Sequence, residues 1–116
     1  SMLYNVLGPV VFFEVQSGKI KVTRVNEQYF QMIGAEHFKE DIQKEFLARI
    51  PAEERSQFNE LLEKSFLNPV SGADGMLHIL RTETDKLTVY IKVFYMQEKE
   101  DWRQYYCSLM DMTKIL

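Results

Sequence analysis

The stretch Leu87-Thr88-Val89-Tyr90-Ile91-Lys92-Val93-Phe94-Tyr95-Met96-Gln97 alternates with period two. Leu87, Val89, Ile91, Val93 and Tyr95 fall on one side and Thr88, Tyr90, Lys92, Phe94 and Met96 on the other, so the segment reads as a strand whose first set faces a core. The second set is itself fairly apolar, which predicts that the outer face is covered by the lead-in segment or by another subunit. Met76 to Thr82 before it and Trp102 to Met112 after it keep the same period. The joints are short polar turns at Thr84-Asp85-Lys86 and Glu98 to Asp101. Three strands therefore close the chain.

Working back toward the N-terminus, Asn68-Pro69 and Ser71-Gly72-Ala73-Asp74-Gly75 read as the loop at which the period changes from 3.6 to 2. Before it, Pro51 stands at a helix start with Glu53 and Glu54 in the first turn. Phe58, Leu61, Leu62 and Phe66 follow at amphipathic spacing, which predicts the longest helix over 51–67. A second helical stretch from Lys39 to Ile50 puts Ile42, Phe46 and Ile50 on one stripe. A third, short helix begins at Asn26, whose side chain suits the N-cap; Tyr29, Phe30 and Ile33 line one face and Gly34 stops it. Two β-branched and aromatic runs, Val10 to Gln16 and Lys19 to Val25, flank Ser17-Gly18 and read as an opening hairpin. Leu3, Val6 and Leu7 have helical spacing, but Gly8-Pro9 cuts them off as a lead-in. The order ββ-ααα-βββ predicts an α+β domain, a five-stranded antiparallel sheet with short helices on one face.

A chain of 116 residues, 46% hydrophobic and 27% charged, has room for a single domain at 1–116 and closes a core without disulfide or metal staples. Its net charge of −3 carries no basic stripe, so nucleic acid is not an expected partner. A lone Cys107 makes neither an intramolecular disulfide nor a four-thiolate metal site and fits a cytoplasmic protein. Apolar stretches such as Val10 to Phe13 are too short to span a bilayer. Ser1 before Met2 and the stop at Ile115-Leu116 read as a piece cut from a longer protein.

Groups for chemistry are few. Cys107 lies in a strand among aromatics and reads as a small core residue rather than a reactive thiol. His37 and His78 have no second ligand at i+3 or i+4, so no metal site is expected. The acidic pairs Glu53-Glu54 and Glu98 to Asp101 are explained by a helix start and a turn. Arg81 is more informative. If Leu77 and Ile79 face inward, parity points Arg81 inward too, as a fork of donors for a ligand carboxylate or phosphate; the alternative is an arginine snorkelling at a strand end.

Three segments resemble the PAS domain family, over about Gly8 to Leu116. Val25-Asn26-Glu27-Gln28-Tyr29-Phe30-Gln31-Met32-Ile33-Gly34 is similar to the family's Asn-led short helix ending in an apolar-Gly pair. Ile50-Pro51-Ala52-Glu53-Glu54-Arg55, leading into Phe58 and Leu62, resembles the start of its long connecting helix. Asp111-Met112-Thr113 is similar to the Asp-apolar-Thr signature where such domains hand over to an output segment. The resemblance implies a pocket between the inner sheet face and the helices, and signalling work: sensing a small organic ligand, forming a homodimer through the outer sheet face or the N-terminal segment, and controlling a kinase, diguanylate cyclase or transcription regulator. Residues 1–8 are then the lead-in and 111–116 the start of the connector. Nothing after Gly34 is similar to the Asn-Cys-Arg-Phe run of the flavin branch, and Pro51 to Leu67 holds no histidine to bind haem, so neither cofactor is expected.

The candidate pocket residues are Tyr29, Ile33, Phe46, Phe58, Leu62, Ile79, Arg81, Ile91, Val93, Tyr105 and Cys107, with Asp111 and Thr113 as the signal-transmitting pair. Their interior either holds a small organic molecule or is filled by its own aromatics. The preferred reading is a non-enzymatic sensory domain. The contrasting one is a small cone-shaped α+β enzyme of the isomerase or dehydratase type, which needs Asp41, His78 or Asp85 deep in a cavity.

Overall fold

The computed structural model describes residues 8–34 and 46–115. Strands β1 (Val10–Gln16) and β2 (Lys19–Val25) are followed by helix α1 (Glu27–Ile33). Two single-turn 3-10 helices, Leu47–Arg49 and Ala52–Glu54, lead into helix α2 (Arg55–Leu67), and β3 (Ala73–Leu80), β4 (Lys86–Lys99) and β5 (Trp102–Asp111) complete the fold. The strands form one antiparallel sheet in the order β2-β1-β5-β4-β3. The α+β fold expected from the sequence is observed. The last strand lies at the centre, between β1 and β4, so a change in its position is felt by both halves of the sheet.

Local chemistry accounts for the elements. Ser17 and Gly18 both take positive φ (48° and 79°), as a two-residue turn of the type I′ kind needs to match the twist of β1 and β2. Asn26 caps α1: its Oδ1 accepts from the Tyr29 N–H at 3.1 Å and from the Val10 N–H at 3.0 Å, while its Nδ2 donates to the Gly8 carbonyl at 2.7 Å. One side chain thus fastens the hairpin to the helix. Gly34 ends α1 at φ 117° and ψ 147°, a positive-φ extended conformation rather than the left-handed helical one, and its N–H still reaches the Phe30 carbonyl at 3.0 Å.

Boundaries differ from the sequence reading in several places. Pro51 precedes a 3-10 turn, and the α-helix proper starts at Arg55, beyond the two glutamates. Of the helix expected over 39–50, residues 46–50 are described and carry the 3-10 turn Leu47–Arg49; Phe46 and Ile50 are buried, and Ile42 lies outside the described residues. β3 starts at Ala73, inside the Gly-rich loop, because pairing with β4 to Ala73↔Val93 outweighs the poor strand propensity of Asp74 and Gly75. It also ends two residues early, at Leu80. Gly72 permits that early start: at φ 69°, a Cβ there would lie 2.6 Å from the Val93 carbonyl oxygen and 2.7 Å from the Phe94 ring. The lead-in reading of Leu3, Val6 and Leu7 lies outside the described residues.

Packing closes the inner face. Val11 and Phe13 of β1, Leu77 and Ile79 of β3, Val89, Ile91 and Val93 of β4 and Tyr105 and Cys107 of β5 are all at most 1% exposed. The period-two reading of β4 is thereby met, Tyr95 packing at the edge of the same cluster. The C-terminal end of α2 is held by Phe66, edge-on to Tyr95 at 4.9 Å, and by the Arg103 guanidinium 3.6 Å over the Phe66 ring, its NH1 donating to Glu63 at 3.0 Å.

Candidate functional site

The space between the inner sheet face and the helices collects ten of the eleven pocket residues expected from the sequence. Tyr29, Ile33, Phe46, Phe58, Leu62, Ile79, Ile91, Val93, Tyr105 and Cys107 belong to one buried cluster. Arg81 does not. β3 ends at Leu80 and the chain turns, the Arg81 and Thr82 N–H groups both donating to the Asp85 carbonyl, before parity reaches the arginine. Its Nε and NH2 donate to Asp85 Oδ2 at 2.9 and 2.6 Å at the surface, with 37% of the side chain exposed. The inward reading of Arg81 is corrected on that geometry.

Phe13 and Arg49 are interior residues that the candidate set omits. Phe13 stands at the centre of an aromatic group, 5.5 Å from Tyr105 at an interplanar angle of 9°, and 6.0 Å from both Phe46 and Phe58. Its alternation with Val11 and Val15 was the available signal. Arg49 is 7% exposed, and its NH1 donates to the Leu80 carbonyl at 2.9 Å. It closes the end of β3 from the 3-10 turn. No periodicity marks a residue placed by a single turn, so the buried cation is Arg49 where parity had pointed to Arg81.

The interior is mainly apolar. The Tyr29 hydroxyl is fully buried and finds no hydrogen-bond partner among the described residues. Burial pushes its pKa well above the ordinary tyrosine value, against the pull of the nearby Arg49 guanidinium. Burial also pushes the Cys107 thiol up to about 12, so the thiolate needed of a nucleophile is not formed near neutrality. His78 and Asp85 lie away from this interior. His78 sits at the β3 edge, where its backbone N–H and ring Nδ1 meet the two Glu54 carboxylate oxygens at 2.7 and 2.6 Å. Asp85 is in the turn with Arg81, and Asp41 and His37 lie outside the described residues.

A second region is the exit of β5. Asp111 Oδ1 accepts from the Thr113 N–H at 2.9 Å, and Thr113 Oγ1 accepts from the Thr88 N–H at 2.9 Å. The Met112 N–H donates to the Thr88 carbonyl at 2.7 Å. Hydrogen bonding from Thr113 holds the Asp111 carboxyl below its ordinary pKa, helped by the charges of Arg81 and Lys114. The pair therefore locks the end of the central strand onto β4.

Comparison with solved structures places this arrangement. Superposition on an RNA-binding light-oxygen-voltage receptor gives a TM-score of 0.53 at 12% identity, over 94% of this chain and 31% of that one. A domain assigned to a light and redox sensing histidine kinase from Haloarcula marismortui gives 0.58 at 15% identity, over 88% and 87% of the two chains. The N-terminal domain of a diguanylate cyclase with a PAS/PAC sensor from Marinobacter aquaeolei gives 0.58 at 9% identity, over 90% and 95%. The fold is PAS-like. At these identities the likeness is one of fold, and the chain spans about a third of the first of these proteins. No family model and no curated protein matches the chain. Among the described residues of the PAS-like domain, no helix is long and apolar enough to cross a membrane, and no group of three or more His, Cys, Asp or Glu is placed to hold a metal ion.

Proposed function

We propose that this is a non-enzymatic sensory domain whose interior receives a small, mainly apolar organic molecule and whose last strand passes the change to an attached output segment. The observation that carries the reading is the Tyr29 hydroxyl, enclosed by aromatic and aliphatic side chains and unpartnered among the described residues. A buried hydroxyl without a partner costs roughly 1–3 kcal/mol, and a ligand bearing one polar group beside it removes that cost. The neighbouring Arg49 guanidinium favours an acceptor-rich group on the same ligand. PAS-like neighbours that are parts of a histidine kinase and a diguanylate cyclase support an output module of the signalling kind. β5 carries the interior residues Tyr105 and Cys107 and ends at Asp111, so one strand joins the input to the exit.

Two experiments test the reading. A thermal-shift screen of small aromatic and aliphatic acids is expected to raise the melting temperature of the wild type, with the shift largely lost in Tyr29→Phe. No compound acting, or an equal shift in Tyr29→Phe, goes against an interior ligand. In the parent protein, Asp111→Ala is expected to uncouple output while this domain stays folded, and unchanged output goes against the exit role.

A further inference from the structure

The sheet has two edge strands, β3 and β2, and they are finished differently. Along β3, backbone groups that point away from β4 are taken up by side chains from the helical layer. The Met76 carbonyl accepts from Gln57 Nε2 at 3.1 Å, the His78 N–H donates to Glu54 Oε1 at 2.7 Å, and the Leu80 carbonyl accepts from Arg49 NH1 at 2.9 Å. That edge is closed to a further strand over 76–80. On β2 the register decides. The two-residue turn Ser17-Gly18 makes Gln16 and Lys19 the hydrogen-bonded closing pair, and alternation makes Glu14↔Lys21 the next one. The N–H and C=O groups of Ile20 and Val22 therefore point away from β1, and among the described residues nothing hydrogen-bonds them from that side.

Beside this open edge lies a groove of about 390 Å³ lined by Gly18, Lys19, Ile20, Leu47, Ala48 and Arg55, between the hairpin and the 3-10 turn Leu47–Arg49. Ile20 and Leu47 pack against the core from the groove, so it continues the apolar inner layer past β2. Lys19 and Lys21 are exposed on the other side of the strand, and neither they nor Arg55 forms an ion pair with a described residue. Glu14, opposite Lys21, accepts from Gln104 at 2.6 Å. A strand added here alternates between the two sides: apolar side chains suit the groove and carboxylates suit the lysines. We infer that the β2 edge takes an extended acidic segment of a partner protein, paired through the backbone of Ile20 and Val22, with its carboxylates at Lys19 and Lys21. A helix satisfies its own backbone groups and has no use for such an edge. A second copy is disfavoured, because joining two β2 edges sets the lysines of both on one face of the joined sheet. The assignment concerns neither the interior nor the exit of β5 and stands whether or not the interior takes a ligand.

A short synthetic peptide alternating valine and glutamate is titrated against the domain, and hydrogen exchange of individual amides is followed by NMR. The Ile20 and Val22 amides are expected to exchange fast in the free domain and to slow about tenfold or more at saturation. Affinity is expected to fall about fivefold or more in the double variant Lys19→Gln, Lys21→Gln, whose urea midpoint stays near that of the wild type. It is expected to vanish when the valine amides of the peptide are N-methylated, since those are the donors that face β2. Absence of binding, equal binding of the version with lysine in place of glutamate, or saturable binding that leaves Ile20 and Val22 exchange unchanged overturns the assignment. So does a dimer of the domain alone whose Ile20 and Val22 amides are already protected, since the edge would then belong to a second copy.

Discussion

Phe12 and Phe13 are chain neighbours of one residue type, and the pleat sends them to opposite sides of the same sheet. Phe13 is 1% exposed, ringed by Phe46, Phe58 and Tyr105. Phe12 is half-buried among Tyr106 and the Arg24 guanidinium, 4.3 Å from its ring. The inner surface is apolar, closed and aromatic, with the Tyr29 hydroxyl unpartnered among the described residues; the outer surface carries the row of Phe12, Tyr106 and Phe94 among exposed lysines. Apolar content alone does not say which face of a sheet is the core. The helices decide, and they cover one side.

The contrast is broken or sharpened by substitutions matched across the sheet. Phe58→Ala removes a fully buried ring and is expected to cost about 3–5 kcal/mol in urea unfolding, whereas Phe94→Ala on the outer face costs about 1 kcal/mol. Equal costs would erase the distinction. Asn26→Ala withdraws a helix cap and the bonds to Val10 and Gly8 together, and is expected to cost about 2–3 kcal/mol by the same measurement.

The Cys107 thiol gives the inner face an alkaline signature. Its folded pKa of about 12 lies above the ordinary 9.0, so the unfolded chain releases the proton first. Stability is then full below pH 9 and falls between 9 and 12, by up to about 1.4 kcal/mol per pH unit from this group. Comparing urea midpoints of the wild type and Cys107→Ala as pH rises through that window, the slope is expected to be shallower in the variant; identical slopes would place the thiol in contact with solvent. Smallest of all, Tyr29→Phe deletes a buried hydroxyl without a partner and is expected to leave the ligand-free domain unchanged or more stable by up to about 1 kcal/mol. A loss of more than that would mean the hydroxyl is satisfied in the folded protein.

Strands, hairpin and long helix were legible because periodicity, turn residues and caps agree along 10–25, 51–67 and 87–111, where each side chain's face follows from its neighbours. Ten interior residues followed from the same rule. Arg81 and Arg49 show where the rule ends: each is placed by a turn of a few residues, at Leu80 and at Leu47–Arg49, and a turn carries no periodicity to extrapolate. β3 shows a second limit, since Asp74 and Gly75 discourage a strand locally and pairing with β4 overrides them. The basic outer face was hidden for a third reason. Its cations, Lys19, Lys21 and Arg24 of β2 and Lys86, Lys92 and Lys99 of β4, come from separate stretches of sequence, so a net charge of −3 averages them away.

The reading of the inner side of the sheet as the receiving one is tested most directly by mapping amide NMR shifts while a compound that raises the melting temperature is added. Shifts are expected at Tyr29, Phe58, Tyr105 and Cys107, with the outer row of Phe12, Tyr106 and Phe94 unmoved. Shifts centred on the outer row, with the interior silent, would contradict the account.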